Sequence, residues 1–166
     1  STRRRRAGRA GRRVVGAMSR EVRRVPMDWQ HPMEWRRQWD PNRASVRMML
    51  VPRPLYGRDM LRYFDETEDE RPAESDVMPD FSGIDPDLLG YCMYETTSEG
   101  TPISPVMASP ESLARWLADN EASAFGGMPA SYEQWLSTCR TGWAPSAVVS
   151  SSGLESGVSF AARTER

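Results

Sequence analysis

The sequence predicts a small α+β fold, an antiparallel sheet with two short helices packed on one face, centred on residues 91–150. Three observations point there. Tyr91-Cys92-Met93-Tyr94-Glu95-Thr96-Thr97 concentrates the aromatic and β-branched types that suit a strand. Ser109 followed by Pro110 is an N-cap with proline at the first helical position. Ser131 with Gln134 makes a capping box ahead of Tyr132, Trp135, Leu136 and Cys139, which recur at i, i+3, i+4 and i+7.

Taken in order, residues 1–24 read as an Arg-rich disordered arm. Ten arginines stand against one acid, Glu21, and the apolar residues are only Ala, Val and Met. The first 17 residues have the composition of a transit peptide, but the arginine bias without lysine reads better as that of a GC-rich genome, with Met18 an alternative start. Residues 25–64 read as an irregular Trp- and Pro-rich segment, punctuated by Pro26, Pro32, Pro41, Pro52 and Pro54. Within it, Met33–Trp39 suggests two helical turns, Arg47–Val51 a short buried strand, and Gly57–Phe64 a short helix. Residues 65–90, with ten acids among 65–87, read as a solvated acidic linker.

In residues 91–150 the first strand is followed by a turn at Ser98–Thr101. A second strand over Ile103–Met107 is forced to an edge by Pro102 and Pro105. The first helix extends from Ser109 to about Asn120 with Leu113, Trp116 and Leu117 on one face, and the second stops at Thr141-Gly142. Ser146–Val149 supplies a last strand, and residues 151–166 read as a flexible Ser/Gly-rich tail. Leu113, Trp116, Leu117, Trp135 and Leu136 are the expected core.

Charge is laid out unevenly. Residues 1–64 carry net +12 and residues 65–166 net −13, and every basic residue is Arg. The lack of lysine removes Walker A loops and Schiff-base chemistry, both of which need its amine. His31 is the only histidine, so a Ser–His–Asp or Cys–His site must use it. Placed between Trp29-Gln30 and Pro32, it reads better as a structural group bonded to backbone. Cys92 and Cys139 read as reduced core thiols, since no close ligand pair suggests zinc. No metal and no cofactor is expected, and no apolar run long enough to span a membrane is present.

Several stretches resemble one another's counterparts in a known group. They are Val25-Pro26 with Asp28-Trp29-Gln30-His31-Pro32; Tyr94 to Val106, reading YETTSEGTPISPV; Leu113 to Asn120, reading LARWLADN; Ala122 to Gly127, reading ASAFGG; and Gly142 to Ala147, reading GWAPSA. Together they resemble small uncharacterised proteins of tailed bacteriophages and prophages, best over 91–148 and moderately over 22–32. The resemblance implies phage origin and an accessory role in the host cytoplasm. It brings no established activity and assigns no catalytic residue.

The expected function is therefore a non-enzymatic binding module acting on a host or phage protein. Its expected contact residues are Thr97, Ser98, Glu99, Thr101, Ile103 and Ser104, on a proline-stiffened turn of the kind that carries interactions. An alternative is nucleic-acid binding through Arg3, Arg4, Arg5, Arg6, Arg23 and Arg24, with Trp29, Trp35 and Trp39 as stacking platforms. A third is an enzyme using His31.

Overall fold

A computed structural model describes residues 19–96, 99–145, 147–150 and 153–164. Its centre is a four-stranded antiparallel sheet in the order β5-β4-β1-β6, made of β1 (Ser19–Pro26), β4 (Leu89–Glu95), β5 (Thr101–Pro102) and β6 (Trp143–Pro145). Strand β1 runs the full length of β4, from Arg20 opposite Glu95 to Pro26 opposite Leu89. On its other side Ser19 faces Pro145 and Glu21 faces Trp143.

The fold class is α+β, as the sequence predicts. Helix α2 (Pro110–Asp119) starts at the Ser109 cap, where Ser112 completes a reciprocal capping box. Helix α3 (Tyr132–Thr141) starts at Ser131, which exchanges hydrogen bonds with Gln134. Gly142 closes α3 in the left-handed conformation at φ +89°, donating its N–H to Thr138 O. Both helices cover one face of the sheet. There Met93, Leu113, Ala114, Leu117, Ala124, Trp135, Cys139, Ala144 and Val158 form the larger core. Trp116 and Leu136 border it partly buried.

The opposite face is also covered, which the sequence does not suggest. Val25, Cys92 and Tyr94 pack there with Leu55 and Met78, bordered by Trp29, Phe81 and Val106. Residues 65–90 are thus more than a solvated linker. Val77 and Met78 are buried, and Tyr56 brackets them, donating its N–H to Asp76 O and accepting from Met78 N. The acids of this stretch lie toward the surface while Val77 and Met78 point in, Phe81, Ile84 and Leu89 are half-buried, and Leu88 stays exposed.

Residues 19–24 are not part of a disordered arm: they belong to β1, which lies between two other strands. Alternation explains how so charged a segment is buried. Val22 and Val25 face opposite cores, while Arg23 and Arg24 each set a guanidinium over an aromatic ring and all three arginines bond backbone oxygens. Arg23 stands 4.3 Å over the Tyr94 ring and Arg24 4.0 Å over Tyr91. Buried guanidinium groups are tolerated when every donor finds a partner.

Residues 25–64 are not irregular either. Strands β2 (Met33–Asp40) and β3 (Ser45–Pro52) form a separate antiparallel hairpin, so Met33–Trp39 is a strand and not two helical turns. The segment 47–51 is a strand as expected, but it is not buried. Helix α1 (Met60–Glu66) falls three residues later than the expected Gly57–Phe64. The second strand expected over 103–107 does not form: β5 lies just before that span, and the span itself keeps one bridge, Met107 with Tyr91, because Pro105 cannot donate to a ladder. The expected last strand, 146–149, is β7 (Ala147–Ser150), which pairs with β8 (Gly153–Ser156) and not with the main sheet. The supposed tail continues into helix α4 (Gly157–Thr164), whose Val158 is fully buried.

Candidate interaction surface

The β2–β3 hairpin follows from its sequence once its ends are seen. Asp40 opens the turn, accepting Asn42 N–H on Oδ1 at 3.0 Å and Arg43 N–H on its carbonyl at 3.2 Å, and Ala44 closes it at φ +47°. Arg47 reaches back to Asp40 at 3.5 Å. At the base, Arg53 N–H donates to Pro32 O at 2.9 Å, and the Arg53 guanidinium pairs with Asp76 at 2.6 Å. The register then sets Trp35 opposite Leu50, Arg37 opposite Met48, and Trp39 opposite Val46.

Because side chains alternate along a strand, these residues share one face with Met33 and Pro52. The other face carries Glu34, Arg36, Gln38 and Asp40. Both faces meet water, the apolar one included. Six large side chains on it are about half exposed or more, from 49% at Met33 to 65% at Trp35. Isolated exposed apolar residues are ordinary, but six on one face make it a candidate contact surface. Arg37 sits in the middle of it.

A polar cluster locks the hairpin base to the sheet. His31 Nε2 lies 2.6 Å from Arg53 O, a carbonyl that can only accept, so Nε2 carries the proton. Nδ1 is then an acceptor for the Tyr94 hydroxyl at 2.9 Å, which itself accepts from Trp29 Nε1 at 3.1 Å. Burial holds the His31 pKa below its ordinary value, and the nearby Arg23 guanidinium lowers it further, against the raising effect of the Arg53 carbonyl. A neutral imidazole with both nitrogens engaged is a strut, as the sequence suggests. A groove of about 380 Å³ beside it is lined by Met27, Trp29, Cys92, Ser104 and Val106 among others. The Cys92 thiol there is pushed up to about 11 by burial, which leaves little thiolate for nucleophilic work near neutral pH.

The expected contact turn is largely occupied by the fold. Thr97 and Ser98 lie outside the described residues. Glu99 adopts φ +74°, and its carbonyl accepts from Arg23 Nη2 at 3.1 Å while its carboxylate accepts from the Tyr56 hydroxyl at 3.2 Å. Thr101 pairs with Glu95 in the sheet, and Ile103 packs against the larger core. Ser104 Oγ accepts Met93 N–H at 2.9 Å.

Of the arginines expected to bind nucleic acid, Arg3, Arg4, Arg5 and Arg6 lie outside the described residues. Arg23 is 8% exposed, donates from Nη1 to Leu55 O at 2.7 Å, and pairs with Glu21. Arg24 donates to the carbonyls of Gly90, Pro86 and Leu89. Both serve the sheet and present no free fork to a phosphate.

A cleft of about 600 Å³ lies between β1 and residues 78–82 and mixes Phe81 and Trp143 with Glu21, Arg58 and Asp80. Arg58 is held by Glu74 and Met78 O, and Asp80 by Ser82 N–H. Among the described residues no three Cys, His, Asp or Glu side chains converge to hold a metal, and no helix is long and apolar enough to cross a membrane. Compared with protein-family models, curated proteins and solved structures, the chain matches none of them.

Proposed function

We propose that this chain is a non-enzymatic protein-binding module, and that the apolar face of the β2–β3 hairpin is its contact surface. The observation that carries this reading is the row of Met33, Trp35 and Trp39 beside Val46, Met48 and Leu50, all in water on one face. Trp and Arg are the residue types that dominate binding energy at protein interfaces, and here Arg37 stands between two indoles. The phage-type setting implied by the sequence resemblance makes the partner a host or phage protein. Nucleic acid is disfavoured as the partner of the folded part, because the described residues hold 14 arginines against 22 acids and repel a polyanion overall.

Capture from lysate of host cells that also carry the untagged chain, with and without nuclease, tests the reading. An arm deletion must stop at residue 18, because residues 19–24 are inside the sheet. Capture is expected to survive that deletion and nuclease treatment, and to fall at least tenfold in Met48→Arg. Capture that follows residues 1–18 and ignores the hairpin would replace this reading with the nucleic-acid binder.

A further inference from the structure

We infer that the hairpin face is occupied by the same face of a second copy of this chain, giving a two-fold dimer. The inference rests on the protein-binding reading and names its partner. Two observations select a second copy.

The first is size. Six large apolar residues, two of them Trp, each about half exposed or more, leave an apolar face of several hundred Å² per copy, the order of the ~800 Å² per partner of a standard stable interface. A two-stranded hairpin is marginal by itself in water, so a stacked partner sheet supplies what this one lacks. The described residues lay nothing of their own chain across this face, as the exposures of Trp35 and Trp39 record.

The second is self-complementarity. The face has two rows, a bulky one on β2 (Met33, Trp35, Arg37, Trp39) and a slimmer one on β3 (Pro52, Leu50, Met48, Val46), in register pair by pair. A two-fold axis parallel to the strands lays the bulky row of each copy on the slim row of the other. Trp35 then packs on the partner subunit's Leu50, and Trp39 on the partner subunit's Val46. Arg37 lies over the partner subunit's Met48, its stem on the apolar surface and its guanidinium reaching the rim. The two Arg37 side chains fall on opposite sides of the axis. The alternative two-fold, perpendicular to the strands and centred on the Arg37 row, sets the guanidinium groups against each other in a desolvated contact and is rejected. Large against small in every layer is how two sheet faces interdigitate.

Sedimentation equilibrium and light scattering of the full chain test this across micromolar to hundred-micromolar concentrations. The expected result is a dimer with micromolar or tighter Kd. Leu50→Arg and Met48→Arg should each weaken it at least thirtyfold with unchanged circular dichroism. Gln38→Arg, on the opposite face of the same strand, should leave it intact. Tryptophan emission should shift to the red on dilution through the dimer Kd in the unaltered chain and not in Trp35→Phe/Trp39→Phe. A monomer at a hundred micromolar overturns the inference, and so does a dimer indifferent to both Leu50→Arg and Met48→Arg. If that monomer still captures a lysate protein through Met48, the second copy is wrong and the protein-binding reading stands. If capture too ignores the hairpin, both fall.

Discussion

His31 shows how a single side chain carries consequences beyond its contacts. Its neutral form is the one that fits, since protonation of Nδ1 would take away the acceptor of the Tyr94 O–H and set N–H against O–H. The folded pKa lies below the ordinary value near 6.5. The unfolded chain therefore binds a proton that the folded one refuses, and stability declines as pH falls from about 6.5 toward the folded pKa. Denaturant midpoints between pH 8 and pH 5 are expected to fall in the native sequence and to flatten in His31→Gln. Tyr94→Phe strips a partner from both the indole and the imidazole and should cost about 1–3 kcal/mol at neutral pH, measured the same way. Trp135, with no exposed surface, is expected to cost about 3–5 kcal/mol on truncation to Ala, a large share of the ~5–15 kcal/mol that holds a domain folded, read from chemical denaturation.

Strand β1 and the hairpin mark what could be read from sequence at the level of elements. Helices α2 and α3 were legible because caps act locally: Ser109-Pro110 and Ser131 with Gln134 specify their ends without help from distant residues. Strand β1 was illegible because its arginines are solvated in isolation and find their seats over Tyr91 and Tyr94 only in the fold, where Arg23 is buried and Arg24 still meets water. The alternation of Val22 and Val25 across Arg23 and Arg24 was the available signal, and net charge outweighed it. In the hairpin, alternation of Met33, Trp35 and Trp39 with Glu34, Arg36 and Gln38 was equally plain, but the neighbouring prolines suggested disruption when they only frame the ends. The contact face was missed because exposure of apolar residues cannot be deduced from a pattern that normally means burial. Arg23→Ala tests the strand account. It leaves Glu21 and the Leu55 and Glu99 carbonyls without their donor and should cost about 3 kcal/mol in chemical denaturation, with Arg23→Lys a poor rescue because an ammonium cannot span all three. Gly100→Ala should be comparably harmful: at φ +147° an added Cβ would lie 2.2 Å from Arg23 Nη2 and 2.5 Å from Leu55 O.

At the scale of the molecule, the sheet is sandwiched between a helical core and a loop core, and each contains one free cysteine. Burial pushes the Cys92 thiol up to about 11 and the Cys139 thiol up to about 12. Alkylation at pH 8 is therefore expected to be slow for both in the folded chain and fast after unfolding. If the two cores open together, the thiols should react with one common rate in sub-denaturing urea, followed by mass spectrometry of each peptide. Separate rates would show that the loop core, which rests on Leu55, Met78 and few other aliphatics, opens on its own. Proteolysis maps the same question along the backbone, with cleavage expected across 67–72 and protection from 76 to 78, where Tyr56 holds the chain.

The position of β1 sets a timetable for synthesis. Among the described strands it is the first to be made, yet its neighbours begin at residues 89 and 143. At ~5–20 residues per second, about 70 residues and several seconds separate it from one flank, and about 120 residues from the other. Throughout that wait its main-chain donors and acceptors are open on both sides, the state in which nascent strands join wrong partners. Three arginines in eight residues keep such a strand hydrated and mutually repulsive until Tyr91 and Tyr94 are made. The charges that hide this segment in the sequence thus act as its chaperone, and replacing Arg20, Arg23 and Arg24 with apolar residues should raise aggregation during translation more than any loss of equilibrium stability explains.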